Sequence, residues 1–473
     1  MKKNGYGKVY LFVSRAKEAL PGFKPESNQR VRGNMKILKK TLCLLLAVAV
    51  SAGCVLLAGC GKKEDPDTIT VGVANNTSEI NILNTFREAY MKANPGKNIK
   101  IVRITGSFDN ALLKLNNAED LPDIVQVYDF SAEYWTEAGI YYPISDFMAR
   151  DGLQESDYFD SVISLAKSGT DGKMYWAPRD YNKVVVCYNK EIFDAAEVPY
   201  PTDDWTWTKF QETCEALAAK SSEIMAVTGQ QIFYPVDMNL NWESVYYPAI
   251  RSYGSDLFDK TAGTAIPDAT VVKTALDNLV SLADDELAVS PSETGSPFPA
   301  QQCAMHFTVR PNIVSFANSI KDDAGNPAID FASVPAFEGV EKSYIGMGCT
   351  GYAITDQCAE TKREDAWNFL KFVMTEAGQN AFCASGAGVP ILKEMAEDEN
   401  AAFRKYLPDA NHDAFIQFTD RDLPMNYMSG LNPKKHLAIR SVLVDELTKN
   451  YFAASDRLDY LSELKEKLEN ALR

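Results

Sequence analysis

Strand-type and helix-type patterns alternate along the chain from residue 68 onward. The strand patterns cover Thr68–Ala74, Ile99–Ile104 and Asp123–Val127. Between the first two, Leu83, Phe86 and Tyr90 recur at the spacing of one helix face, and a further helix is expected around residues 111–117. Strands that alternate with helices pair mostly in parallel, because each helix returns the chain to the same end of the sheet. The sequence therefore predicts an α/β fold with a largely parallel sheet in its first lobe.

The chain begins with a segment of different character. Thr41–Ala58 is apolar and is preceded by Lys36, Lys39 and Lys40. A basic start, an apolar stretch and small residues before a cleavage point are typical of a secretory signal. The alternative is a transmembrane helix, since 18 mostly apolar residues nearly span a bilayer. Ser51 and Gly53 interrupt the stretch and favour the signal.

The end of this segment, Leu57-Ala58-Gly59-Cys60, resembles the bacterial lipoprotein box, in which the cysteine becomes the first mature residue and carries lipid. Ser51-Ala52-Gly53-Cys54 is a weaker copy. A signal counted from Met35 has 25 residues, which is a normal length, whereas one counted from Met1 has 59. We therefore expect translation to start at Met35, residues 1–59 to comprise an upstream extension and a signal, and residues 60–67 to form a polar tether.

Removal of the signal makes the chain strongly acidic. Residues 1–59 hold 11 Lys and Arg against 2 Asp and Glu, so the remaining chain carries 37 basic and 62 acidic residues, a formal net charge of −25. Such a charge repels phosphate backbones and anionic lipid head groups, so no nucleic-acid partner is expected. A lipid on Cys60, rather than a basic patch, would attach the protein to the membrane.

The remaining cysteines show no metal-binding spacing. Six lie beyond Cys60, mostly in apolar surroundings: Cys187, Cys214, Cys303, Cys349, Cys358 and Cys383. Free cysteines are usually buried, and we expect buried free thiols here, although disulfides are possible outside the cytosol. No metal or cofactor is expected.

Motifs of enzyme chemistry are scarce. Beyond residue 59 the chain has three histidines and no HExxH, GxSxG, Walker loop or CxxC. Gly346–Gly351 matches GxGxxG, but a dinucleotide site needs a helix after the glycines, and Tyr352-Ala-Ile-Thr reads as a strand. The glycines therefore indicate a hinge or a close crossing of backbones. Abundant carboxylates leave a glycosidase-like pair open as an alternative.

Four stretches together resemble the extracellular solute-binding proteins of ABC importers, the branch that includes maltose- and oligosaccharide-binding proteins. They are Leu121–Asp129 with Ala138–Asp146, Asp171–Pro178 with Tyr188–Phe193 and Trp205–Phe210, Cys303–Phe307, and Gly351–Thr355 with Ala366–Phe372 and Gly388–Pro390. The order and spacing of these stretches, over most of the chain after the signal, carry the resemblance.

The resemblance implies two α/β lobes with a ligand cleft between them. The expected lobe one comprises residues 68–178 and 300–340, and the expected lobe two comprises 183–299 and 348–473, with a C-terminal helical part packed on it. The chain would cross near Pro178–Lys183, near Ala300 and near Val340–Gly348. Clefts between domains are favoured ligand sites, and hinge closure is the expected motion.

The resemblance also indicates which residues face the ligand. The expected ligand-binding residues are Tyr128, Asp129, Arg179, Asp180, Tyr181, Trp242, Tyr247 and Arg310. Aromatic faces stack on sugar rings, and planar polar groups bond sugar hydroxyls. Lys434 and Lys435 stand where sugar-binding members often have a tryptophan, which permits an acidic saccharide.

The expected function is the capture of a mono- or oligosaccharide by a monomeric lipoprotein at the outer face of the cytoplasmic membrane, and its delivery to the permease subunits of an ABC transporter. No catalysis is expected. The alternatives are a binding protein that reports ligand state to a membrane sensor and a secreted, lipid-anchored enzyme acting on glycans.

Overall fold

The computed structural model describes residues 68–290, 295, 297–451, 454 and 456–473, apart from the side chains of residues 433, 448 and 449. The expected signal, Cys60 and the tether 60–67 lie outside the described residues. Within the described part of the chain, no helix has both the length and the apolar character needed to cross a membrane.

The described strands are mostly short. They are β1 (Thr68–Ala74), β2 (Asn98–Ile104), β3 (Ile124–Tyr128), β4 (Ala177–Pro178), β5 (Asn182–Lys183), β6 (Val185–Asn189), β7 (Tyr234–Asp237), β8 (Phe258–Asp259), β9 (Thr264–Ala265), β10 (Cys303–Thr308), β11 (Ile329–Ser333), β12 (Ile345–Gly348), β13 (Thr350–Ile354) and β14 (Asp422–Pro424).

Helices connect most of these strands. They are α1 (Thr77–Ala93), α2 (Phe108–Asn117), α3 (Asp129–Glu137), α4 (Ser145–Asp151), α5 (Asp160–Ala166), α6 (Lys190–Ala196), α7 (Trp207–Ala218), α8 (Ser221–Thr228), α9 (Glu243–Ser252), α10 (Ala269–Asp284), α11 (Ile313–Ser319), α12 (Glu360–Met374), α13 (Glu376–Cys383), α14 (Lys393–Glu397), α15 (His436–Val442), a π-helix over Leu443–Tyr451, and α16 (Arg457–Leu472).

Two sheets define two lobes. The lobe-one sheet has the strand order β2-β1-β3-β13-β4. Its first three strands are parallel, as the alternating pattern predicted, whereas β13 runs antiparallel to both of its neighbours. The lobe-two sheet has the order β11-β6-β10-β7. The α/β class and the two-lobed architecture are therefore confirmed.

Three chain segments pass between the lobes and pair with one another. They contain β5, β12 and β14, which form a sheet with the order β14-β12-β5. The strand β12 is parallel to β14 and antiparallel to β5. The crossings expected near Pro178–Lys183 and Val340–Gly348 coincide with β5 and β12, and the crossing at β14 was not anticipated.

The sheets place two segments in the opposite lobe from the one expected. The strand β10 pairs with β6 and β7, and β11 also pairs with β6, so residues 303–333 belong to lobe two and the chain does not cross near Ala300. The strand β13 pairs with β3, so the chain returns to lobe one after β12. The lobe boundaries drawn at 300–340 and 348–473 were therefore wrong, because local periodicity identifies a strand but not its pairing partner.

The helices after β13 divide between the lobes. The helices α12 and α13 pack on lobe one, where Trp367, Phe369 and Phe382 are fully buried in the same apolar cluster as Phe86. The last two helices join the other cluster through residues such as Ile439, Leu461 and Leu464. From α15 onward, the helices therefore pack on lobe two.

All six described cysteines are buried free thiols, as expected. Burial raises the pKa of each of these thiols above its usual value.

The three glycines of the GxGxxG match lie where other groups approach the backbone closely. A Cβ at Gly346 would lie 2.0 Å from the carbonyl oxygen of Ser244, and one at Gly351 would lie 2.2 Å from that of Ala177. A Cβ at Gly348 would lie 2.8 Å from Oδ2 of Asp129. A strand follows these glycines rather than a helix, which agrees with the predicted close crossing and disagrees with a dinucleotide loop.

Candidate functional site

The carboxyl ends of β2 and β3 lie at the same edge of the lobe-one sheet, on either side of β1. Three aromatic rings lie at this edge. Tyr128 stacks on Phe130 with ring centroids 5.3 Å apart, and Phe108 meets Tyr128 edge-on at 5.3 Å. All three side chains remain partly exposed. The carboxyl ends of parallel strands share one edge of a sheet, where ligand sites of α/β folds usually lie. Lobe one therefore offers an aromatic surface at this edge.

Asp129 lies beside these rings, at the start of α3. Its Oδ1 accepts a hydrogen bond from the backbone N–H of Phe130, and its Oδ2 accepts one from Cys349, each at 2.8 Å. Enclosure of the carboxyl raises its pKa to about 7, and the nearby negative charges of Glu243 and Asp180 add to that effect. Gly348 lies on β12, one of the three strands that cross between the lobes (β5, β12 and β14, here called the hinge strands). It leaves room for the Asp129 carboxyl, since any larger residue would displace that group.

Lobe two supplies charged groups opposite this surface. Glu243 begins α9 and lies 3.4 Å from Nη2 of Arg440 on α15. The Arg440 guanidinium carbon is 3.7 Å from the centroid of the Phe130 ring, which belongs to lobe one. A cation over an aromatic face at this distance is electrostatically attracted to it. Arg440 therefore links an aromatic residue of one lobe to a carboxylate of the other.

Two buried tyrosines complete the lobe-two side. Tyr246 and Tyr427 are almost fully buried, and within the described part of the chain their hydroxyls have no hydrogen-bond partner. Burial raises the pKa of both hydroxyls, and the charge of Glu243 raises it further. Buried hydroxyls without partners are unfavourable, so this cluster retains unused capacity for hydrogen bonds.

An open groove of about 360 Å³ shares Arg440 with this group of side chains. Lobe one lines it with Ser107, Asp109 and Asn110, and lobe two lines it with residues of α15 that include Arg440 and Ser441. Aromatic faces, hydroxyls and carboxylates from two lobes suit a small polar ligand with C–H faces. Among the described residues, no cluster of three His, Cys, Asp or Glu side chains could hold a metal ion.

The structure places Arg179 and Asp180 beneath this surface, where both are buried. Arg179 is bonded to Glu79 at 2.6 Å and to Asp180 at 2.9 Å. Asp180 also accepts a hydrogen bond from the backbone N–H of Thr350 at 2.7 Å. Burial raises the pKa of Asp180, and the charge of Arg179 opposes that shift. The pair therefore joins the first crossing to β13 and supports the site from below.

Tyr181 and Arg310 are fully buried and use their polar atoms within the protein. The Tyr181 hydroxyl donates to Asp422 at 2.6 Å, and its ring stacks on Phe159. Arg310 donates to the carbonyl oxygens of Gly386 and Phe403 at 2.8 and 2.6 Å. Burial lowers the pKa of Arg310 to about 10. These positions favour structural roles for both side chains.

The two aromatic candidates of lobe two differ in exposure. Trp242 occupies the position just before α9, next to Glu243, and is half-buried. Tyr247 is buried, its ring lies 5.2 Å from that of Tyr427, and its hydroxyl donates to Asp256 at 3.2 Å. Tyr247 therefore lies behind the polar cluster, whereas Trp242 directly precedes Glu243 in the chain and packs against the lobe-two core.

Several side chains of this surface were not singled out from the sequence. Phe130, Glu243 and Tyr246 are immediate neighbours of Asp129, Trp242 and Tyr247, which were singled out from the sequence. No local sequence pattern marks Tyr427 or Arg440 as a site residue. Both reach the site because α15 and the segment before it pack against α3 and α9.

Solved structures with this fold cover most of the chain. An ABC substrate-binding protein of Listeria monocytogenes, solved in complex with cycloalternan, superposes with a TM-score of 0.68 at 18% identity, over 86% of this chain and 98% of its own. UgpB of Mycobacterium tuberculosis, solved with glycerophosphocholine, superposes with a TM-score of 0.67 at 17% identity, over 86% of this chain and 98% of its own. Maltose-bound MalE3 of T. maritima superposes with a TM-score of 0.66 at 14% identity, over 85% of this chain and 99% of its own. These similarities establish the two-lobed fold.

Sequence comparison leads to the same group of proteins. A protein of Brucella abortus (strain 2308), whose name describes it as a binding protein, is 26% identical over 275 residues. The match covers 55% of this chain and spans 63% of the length of that relative. The family model for bacterial extracellular solute-binding proteins matches residues 76–380, well over half of the chain. The chain therefore belongs to the family of bacterial extracellular solute-binding proteins.

Proposed function

We propose that this protein is the substrate-binding lipoprotein of an ABC importer and that it captures a carbohydrate between its lobes and delivers it to the permease. The observation that carries the proposal is the set of aromatic and polar side chains that two hinged lobes bring face to face. Lobe one contributes Phe108, Tyr128, Asp129 and Phe130, and lobe two contributes Glu243 and Arg440. Trp242 is added to the proposed set because it directly precedes Glu243 in the chain and is half-buried.

Membership of the binding-protein family supports a role without catalysis, and the sugars named with two of the similar solved structures, cycloalternan and maltose, support a carbohydrate ligand. In the proposed ligand set, Tyr128, Asp129 and Trp242 remain from the residues expected on sequence grounds. Arg179, Asp180, Tyr181, Tyr247 and Arg310 are left out because their polar groups already bond within the protein or lie behind the site.

Ligand capture is expected to favour the arrangement in which the lobes touch. Contacts from both lobes are complete only in that arrangement, so a bound ligand shifts the equilibrium toward it. A panel of mono- and oligosaccharides should contain a sugar that raises the melting temperature and, at saturation, lowers the radius of gyration measured by small-angle scattering. Asp129→Ala should weaken the binding of that sugar by about 1.5–3 kcal/mol, the usual value of a hydrogen bond to a charged group. Calorimetry measures this loss.

Asp120→Ala is the matched control, because Asp120 lies exposed on the same lobe, away from the site. This variant should bind as the parent protein does. A panel in which no sugar changes the melting temperature or the radius of gyration would contradict the proposed function. Equal losses in the two variants would remove Asp129 from the ligand set.

The proposed membrane anchor rests on Cys60. Cys60→Ala is expected to abolish lipid attachment and leave an uncleaved precursor, whereas Cys54→Ala should be processed normally, because only Leu57–Cys60 has leucine at the start of the box. Mass spectrometry of the N-terminal peptide from the membrane fraction checks both outcomes. A mature N-terminus at another residue, or an unmodified Cys60, would contradict the anchor.

A further inference from the structure

The surroundings of the candidate site are richer in carboxylates than in cations. Five carboxylates lie at or just beneath the facing surfaces, namely those of Glu79, Asp109, Asp129, Asp180 and Glu243, against the two guanidinium groups of Arg179 and Arg440. Arg179 is already bonded to Glu79 and Asp180. Arg440 is paired with Glu243, and among the described residues Asp109 and Asp129 form no ion pair, so the site has an excess of negative charge.

Asp129 has no cationic partner among the described residues. Its hydrogen bonds come from two backbone N–H groups, those of Phe130 and Cys349. The charged groups that shift its pKa, Glu243 and Asp180, are negative as well, and they raise that pKa further above the ordinary aspartate value. A positive charge placed near Asp129 and Glu243 would relieve this repulsion.

The position of Arg440 shows that a cation fits between the lobes. Its guanidinium carbon lies 3.7 Å from the centroid of the Phe130 ring, and the Tyr128 ring stacks with Phe130. The same guanidinium reaches Glu243 at 3.4 Å, and its Nε has no hydrogen-bond partner within the described residues. An aromatic face with a carboxylate at its edge is thus already used as a cation-binding surface by a side chain of the protein.

The unpartnered hydroxyls give a second, independent indication of a ligand. Tyr246 and Tyr427 are buried, and their oxygens lack hydrogen bonds within the described part of the chain. Both hydroxyls are close enough to Glu243 and Arg440 to be affected by their charges. A protonated amine donates up to three hydrogen bonds, and hydroxyl and carboxylate oxygens can accept them.

We propose that the ligand carries a basic nitrogen, as an amino sugar does, and that this cation binds at the Phe130 face between Asp129 and Glu243. The inference rests on the proposed function and specifies its substrate class. The cation takes the place of the Arg440 guanidinium over the ring, and Arg440 keeps its ion pair with Glu243 from the lobe-two side. The acidic saccharide permitted by Lys434 and Lys435 is the competing ligand class, and the carboxylates of the site would repel it.

Calorimetry with matched sugars tests the proposal. The cationic probes are glucosamine, galactosamine and mannosamine. The neutral probes are their N-acetylated forms and the parent sugars glucose, galactose and mannose, and the acidic probes are the corresponding uronic acids. The β-1,4-linked dimers and trimers of the gluco series are included as well. Measurements are made at a pH at which the amines are protonated. We expect an amino form to bind roughly ten- to hundredfold more tightly than its neutral counterparts, the range of hydrogen bonds to charged groups.

Variants connect this preference to the site. Glu243→Gln should remove most of the preference for the amine while neutral sugars still bind, which also shows that the variant is folded. Asp129→Asn should reduce the preference independently. Glu215→Gln, at an exposed position on α7, is the matched control and should keep it.

The outcomes separate this proposal from the proposed function. Neutral or acidic sugars that bind as tightly as the amines would overturn the cationic ligand and leave sugar capture standing. A preference for amines that persists in both Glu243→Gln and Asp129→Asn would overturn the assigned site. A panel in which nothing binds would overturn the proposed function and this inference together.

Discussion

Asp422→Asn is expected to lower the free energy of unfolding by about 3–5 kcal/mol, the usual cost of leaving a buried charge without its partner. Lys183 lies on the hinge strand β5, and its side chain is fully buried. Its Nζ is 2.8 Å from Oδ1 of Asp422 on the hinge strand β14, and it also donates to the carbonyl oxygen of Gln417. Burial lowers the pKa of Lys183, and Asp422 opposes that effect. Without Asp422 the ammonium group remains buried and loses that compensation.

The two partners are not equivalent, because Asp422 has other hydrogen-bond donors. The hydroxyls of Tyr181 and Ser161 donate to its Oδ2 at 2.6 and 3.0 Å. Lys183→Met should therefore be the less damaging substitution. The double variant Lys183→Met/Asp422→Asn should recover much of the stability, because neither charge then remains buried alone.

Urea unfolding of the four proteins measures this cycle. Glu212→Gln is the matched control, since Lys209 and Glu212 form an ion pair at 3.1 Å that is more than half exposed, and exposed pairs contribute about 1 kcal/mol or less. A loss in Asp422→Asn no larger than in Glu212→Gln would contradict the prediction. So would a double variant that is less stable than Asp422→Asn.

Gly346→Ala is expected to destabilise the protein by about 3 kcal/mol, at or above the upper end of the range for overpacked interiors. A Cβ there would lie 2.0 Å from the carbonyl oxygen of Ser244 and 2.8 Å from its carbonyl carbon. These are backbone atoms of α9, and they cannot rotate away as the end of a side chain can. The hinge strand β12 and the helix α9 would have to separate.

Gly169→Ala is the control for that substitution. Its Cβ would lie 3.0 Å from Oε1 of Glu133, the end of a flexible side chain that can move. The shift in the urea midpoint should therefore be several times larger for Gly346→Ala than for Gly169→Ala, with little change in the slope. Similar shifts in the two variants would show that β12 is not confined by α9.

The separation of α9 from β12 would also affect the candidate site. Glu243 lies in the first turn of α9, one residue before Ser244, and Gly348 lies on β12 next to Asp129. We therefore expect Gly346→Ala to weaken ligand binding at temperatures where the variant remains folded, because the opposed carboxylates would no longer keep their spacing.

Local patterns in the sequence were sufficient for the parts of this protein that depend on neighbouring residues. The alternation over Thr68–Val127 identified β1, β2, β3 and the helices between them, since burial of one face imposes a short-range period on each element. The GxGxxG match at Gly346–Gly351 was correctly interpreted as a close crossing, because a strand pattern follows it. The family resemblance singled out segments that contribute to the candidate site, among them Tyr128–Asp129.

Only the tertiary structure decided which elements meet. Strands β10 and β13 lie in the opposite lobes from those expected, because pairing between strands far apart in sequence leaves no trace in the period of either one. Tertiary packing likewise buries Arg310 and Tyr181 inside hydrogen-bond networks and brings Arg440 onto Phe130. Residue type and local pattern determine what a side chain can bind, whereas its partners are set by contacts between segments that lie far apart in the sequence.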